Sequence, residues 1–126
     1  MAEVPSVGGF LERVIQVDHG RSIGDAVKRT GLAAWALAQA DVAANLAWGI
    51  VALVEDADHF HVAIRQGTFV YWPSHGLGSL GDLGYVSQIS AGVVGSKPTG
   101  GLLQAVAKVV DSSSVEMLDP NRVEDS

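Results

Sequence analysis

GLAAWALAQADVAANLAWGIVALV, residues 31–54, is the stretch whose reading decides the fold. It is long and apolar enough for a membrane span, and alanine-rich enough for a helix. A span would bury Gln39, Asp41 and Asn45 near the bilayer centre, where an aspartate costs about 2.5–3.5 kcal/mol and alanines return little. No membrane segment is therefore expected. Alanine is the best helix former, so a helix of at most about two turns within residues 32–47 is the competing assignment, but Gly49 and the β-branched run after it oppose continuation to Val54. The second half of the stretch decides. Trp48, Ile50, Ala52 and Val54 alternate with Ala47, Gly49, Val51 and Leu53, as in a strand buried on both faces. Phe60, Val62 and Ile64 then alternate with His61, Ala63 and Arg65, the period of a strand with one wet face. Residues 55–58, EDAD, are a turn composition, so Val51 to Arg65 reads as a β-hairpin.

The same grammar continues along the chain. Thr68–Trp72 is a strand stopped by Pro73, which lacks an N–H to donate. Tyr85–Ile89, Leu102–Val110 and Val115–Leu118 follow, separated by loops at 73–84 and 95–101 and a turn at 111–114. Strands at this spacing without intervening helices predict an all-β fold, a small antiparallel sandwich or barrel spanning residues 24–118. Residues 1–23 read as an extended N-terminal arm: Pro5, Gly8, Gly9 and Gly20 flank one candidate strand, Leu11–Val17, with no obvious partner. Residues 119–126 read as a solvated acidic tail.

Composition narrows the function. A chain of 126 residues with 48% hydrophobic and 17% charged residues can bury a real core and is not disordered. It has no cysteine, so disulfides, thiolate metal sites and cysteine nucleophiles are excluded. Residues 1–30 hold equal numbers of acids and bases, so the whole net charge of −6 arises beyond them. No basic stripe is available for a phosphate backbone, and nucleic-acid binding is not expected. MAEVPSVGGF lacks the basic start and apolar run of a signal peptide, which points to synthesis and assembly in a cytoplasm.

Several constellations could carry chemistry. Gly76, Gly78 and Gly81 have the G-x-G-x-x-G spacing of a dinucleotide loop, but the motif needs a helix next and a β-rich Tyr85–Ile89 follows, so no cofactor is expected. His59 and His61 share a strand face and, with Asp56, Asp58 or His75, form a weak candidate divalent-metal site; the competing reading is a strand edge beside an acidic turn. Ser79 or Ser87 with His75 and Asp82 lacks the G-x-S-x-G elbow of a hydrolase, and Lys97 in GSKPTGG lacks the phosphate-loop order, so no enzymatic activity is expected. Trp35, Trp48, Phe60, Phe69, Tyr71, Trp72 and Tyr85 could form a carbohydrate platform, although aromatics in strands more often build cores or subunit interfaces. In the arm, Leu11, Val14, Ile15 and Val17 are the candidate partner-binding residues, able to add as a strand to a neighbouring surface.

The order of the pieces adds a resemblance. GDAV (24–27), ALAQAD (36–41), GIVALVEDADHFHVAIRQGTF (49–69), GLGSLGDLGYVSQISAGVV (76–94), Pro98 and LLQAVAKVVDSSSVEML (102–118) together resemble a small β-rich module of tailed-bacteriophage virion proteins, found in head-decorating, head-fibre and tail-associated proteins. Tyr85-Val86-Ser87 ahead of Ala91-Gly92 is the most specific element. The resemblance implies a late structural protein of the virion that forms a homotrimer, touches the major capsid protein or another virion protein, and has no catalytic residues. A chain of one module plus an arm is expected to be complete in itself, which favours a capsid decoration or head-fibre protein; a tail or baseplate component, or a host-surface carbohydrate-binding module, is the alternative.

Overall fold

A computed structural model describes residues 11–32 and 34–125, and in it the alternating segments are strands: β1 (Leu11–Ile15), β2 (Ala26–Gly31), β3 (Ala34–Leu37), β4 (Gly49–Asp56), β5 (His59–Ala63), β6 (Phe69–Tyr71), β7 (Leu83–Val86), β8 (Val94–Gly95), β9 (Leu102–Asp111), β10 (Ser114–Met117) and β11 (Val123–Asp125). Among the described residues the only helical piece is a 3-10 turn at Ala43–Asn45, and no helix is long and apolar enough to cross a membrane. All pairings are antiparallel, in a five-stranded sheet ordered β1-β5-β4-β2-β3 and a six-stranded sheet ordered β6-β10-β9-β7-β8 with β11 also on β9. The fold is all-β, as the sequence predicts.

The two strand orders are one order, because each strand of the second sheet stands five places after its counterpart in the first. The chain is an internal duplication, and its turns repeat too. Gln16 N–H donates to Asp58 O and Trp72 N–H to Ser113 O, both at 2.8 Å. Gly24 N–H donates to Val51 O at 2.8 Å and Gly81 N–H to Val109 O at 2.9 Å, while Val51 and Val109 donate back to Asp25 O and Asp82 O. Backbone strain repeats as well: Asp18 and Ser74, the non-glycine residues at positive φ, occupy equivalent places, at 53° and 60°.

Packing of the duplicated units is not symmetric. In the first unit one sheet face closes on itself around Val14, Val27, Trp35, Val51, Phe60 and Val62. Its sheet must curl to do so: the side chain of Gln16, just past edge strand β1, takes the N–H of Trp35 in the other edge strand, β3, at 2.9 Å and donates to its carbonyl at 3.2 Å. Glu12 of β1 likewise reaches Arg29 of β2, across the order of the sheet, at 2.6 Å. In the second unit the matching face, with Val70, Val115 and Met117, instead lies on the outside of the first unit, against Ala26, Ile50, Ala52 and Ala63. The units are stacked head to tail.

Alanine explains the stretch that opens the sequence. Half the buried residues of the inter-sheet core are alanines, which lets the two backbones approach closely. After β3 the chain leaves the first sheet, and there Gly92 N–H donates to Ala38 O at 2.7 Å and Ala40 N–H to Ser87 O at 2.8 Å, stitching the sheets together. On the other side buried Gln104 accepts from Ala47 N–H at 2.8 Å and donates to Ala47 O at 2.8 Å and Pro120 O at 2.7 Å.

Two boundaries differ from the sequence reading. The arm expected over residues 1–23 loses residues 11–23 to the body, because Leu11–Ile15 does have a partner, β5, with Val14 facing Phe60. Residues 1–10 lie outside the described part. The tail expected over 119–126 contains β11, whose Val123 faces Gln104 of β9.

Candidate functional site

The residues singled out for chemistry are held by structure. His75 accepts Leu77 N–H on Nδ1 at 3.0 Å, so Nε2 carries the proton and donates to Asp111 O at 2.7 Å. His19 does the same in the first unit, with Arg21 N–H at 2.8 Å and Asp56 O at 2.6 Å. Each ring ties the loop after a unit's first strand to the end of its long hairpin. Asp82 Oδ2 accepts Ser79 N–H at 2.9 Å, and Asp25 Oδ2 accepts Ser22 N–H at 2.8 Å. Ser79, His75 and Asp82 thus form a turn rather than a triad, and Gly81 in the G-x-G-x-x-G match is the twin of Gly24, with φ of 92° and 93°. The signal was present in the sequence as HGRSIGD at 19–25 against HGLGSLGD at 75–82.

His59 and His61 each hold a separate acid. His59 Nδ1 lies 2.6 Å from Asp56 Oδ1, and His61 Nε2 lies 2.5 Å from Glu55 Oε2, which also accepts from Arg13 Nε at 2.8 Å. Arg13 first, then His61, holds the Glu55 carboxyl down at about 2. His59 similarly lowers Asp56. Among the described residues no group of three or more histidines and acids is placed to hold a metal ion, so these two histidines do not converge on one site.

The aromatics divide. Trp35 and Phe60 are core, and Trp72 packs over Gly24 and edge-on to His75. Trp48 is half-exposed beside Trp35, and among the described residues Phe69 and Tyr71, 49% and 67% exposed, are the exposed pair on one face of one strand. A seven-residue sugar platform is therefore not formed. The candidate partner residues divide as well: Val14 is core, Leu11 packs on the inter-sheet core, and Ile15 and Val17 are exposed.

The outer face of the second sheet is the largest feature the sequence reading missed. Across it the register aligns Phe69, Glu116, Lys108 and Leu83 in one row. Beside that row Leu83, Tyr85, Ala105, Leu118 and the turn at Asn121–Arg122 line a groove of about 490 Å³. In the first unit the matching positions Ala26 and Ile50 are covered by the second sheet; here Leu83 and Lys108 are open. No sequence signal marks it, because a strand with alternating polarity reads the same whether its outer face meets water or a protein. No family model, curated protein or solved structure matches the chain.

Proposed function

We propose that this protein is a structural subunit of a tailed-bacteriophage particle, acting as a capsid decoration or head-fibre protein bound to the major capsid protein or another virion protein. The reading is supported by the order of motifs that resembles the virion module and by one observation of the structure. The first strand of each unit, β1 and β6, lies at a sheet edge and presents exposed apolar side chains, Ile15 on one and Phe69 and Tyr71 on the other. Edge strands with apolar outer residues are natural seats for another chain. His19, His75, Asp25 and Asp82, by contrast, are engaged in the hydrogen bonds that shape the turns. Attachment is assigned to the N-terminal end of the body, where Ile15 and Val17 are exposed.

Localisation tests this directly. Labelled protein on intact particles should be found by electron microscopy over the shell. Label confined to the tail would transfer the role to a baseplate or tail component, and particles that never carry it would overturn the structural assignment. Ile15→Asp with Val17→Asp should leave the body folded and reduce occupancy on the shell.

A further inference from the structure

We propose that the outer face of the second sheet is a self-association surface, on which a second copy of this chain docks face to face about a two-fold axis running between β9 and β10. This goes beyond the virion reading and does not depend on it, and it sets a pair of chains in place of the homotrimer that the resemblance implies.

The internal duplication supplies the first step. The same face in the first unit is buried where β2 and β4 run, with Ala26 and Ile50 fully covered. At the equivalent ladder positions the second unit carries Leu83 and Lys108, with Leu83 38% exposed and Phe69 and Tyr71 more so. The half of the face that its twin covers is left open here, and the other half, where the first unit carries the surface pair Arg13 and His61, here carries Phe69 and Glu116. A head-to-tail neighbour cannot cover it, because the complementary face is used up twice within each chain: the first unit's is rolled around Trp35 and Phe60, and the second unit's lies in the joint. The same open row is present on a second copy, and a surface that binds its own twin does so across a two-fold axis.

Charge complementarity selects that arrangement. The row reads Phe69, Glu116, Lys108, Leu83, apolar at both ends with one acid and one base side by side in the middle. Neither Glu116 nor Lys108 forms an ion pair among the described residues. Rotation about an axis parallel to the strands, in the plane between the copies, sets Glu116 over Lys108 of the second copy, and the reverse, while Phe69 lies over Leu83. Sheets packed face to face stand about 10 Å apart, within reach of Lys and Glu side chains meeting from opposite sides. The result is two reciprocal ion pairs flanked by apolar contacts, with Tyr71 extending the patch.

Charge reversal tests it on the full chain. Sedimentation equilibrium across a micromolar to millimolar series should give the native protein a mass of two chains. Lys108→Glu and Glu116→Lys should each weaken self-association about tenfold or more, because every central contact becomes like-charged. Mixed in equal amounts, the two variants should re-form a dimer, since each then meets its opposite, and the double variant K108E/E116K should dimerise alone. Recovery on mixing also shows that both variants are folded. A native protein that stays monomeric throughout, a mass of three chains, or singles that fail to recover in the mixture would each overturn the proposal.

Discussion

Two units with one topology end in different states, and the difference lies in what each does with its inner face. The first curls until Gln16 bridges its edge strands and encloses a core of its own. The second lies on the first, and among the described residues its buried side chains Val70, Val115 and Met117 belong to the shared core. Where the first unit places Arg13 and His61 around Glu55, the second places Phe69 and a Glu116 that has no ion pair among the described residues. Identical hydrogen-bonded turns therefore fix the path of the chain, while the side chains between them decide which surfaces close.

That comparison can be broken at the joint, where the effect should be largest. Gln104→Leu leaves the amide and carbonyl of Ala47 and the carbonyl of Pro120 without their partner, at a cost of about 3–5 kcal/mol. Urea denaturation would measure it; a loss below about 1 kcal/mol would mean that the clasp is dispensable. Next come the twin glycines. Both sit at positive φ, but a methyl group at Gly24 would also overlap the Trp72 ring, whereas the space beside Gly81 is open. Gly24→Ala should cost about 3 kcal/mol and Gly81→Ala about 1 kcal/mol. Equal losses would show that Trp72 yields freely.

The histidines sharpen the likeness instead of the contrast. His19→Ala and His75→Ala each remove one accepted and one donated hydrogen bond, so each should cost about 2 kcal/mol. Stabilities that differ by more than the cost of one such bond would argue that the two devices are not equivalent. The smallest effect is electrostatic and belongs to the first unit alone. Glu55 falls from an ordinary 4.5 to about 2 in the folded chain, so the stability it contributes is complete above about pH 4.5 and is lost as pH falls toward 2. Glu55→Gln should lower stability slightly at pH 6, with the gap closing by pH 2 in an acid titration followed by circular dichroism. A gap that persists at pH 2 would point to packing rather than charge.

Much of the architecture was legible in the alternation. The β4–β5 hairpin, β6, β9 and β10 follow apolar residues every second place, ended by turn residues with a clear physical role. β2 was missed because Lys28, Arg29 and Thr30 give it a polar end, and β3 because Ala34–Leu37 sits within an alanine run that serves helices equally well. β8 and β11 are too short to show a period. The arm differs from its reading at Leu11 because partnership across about 50 residues, Leu11 with Ala63 and Val14 with Phe60, leaves no local mark. His75, Ser79 and Asp82 invite a reading as one triad, whereas their repetition in His19, Ser22 and Asp25 identifies them as scaffold.

The enclosed core of the first unit has a consequence for biosynthesis. Its members run from Val14 to Val62, with Ile64 packed beside them, so every side chain it needs has been made before the second unit begins at Phe69. The nascent chain can bury these residues as soon as they clear the ribosome, and domains fold in this N-terminal-first order during synthesis. The second unit then emerges beside a finished floor of Ala26, Ile50 and Ala63 on which to condense. Reversing the order of the halves would present the dependent unit first, with its apolar face waiting for a support not yet translated.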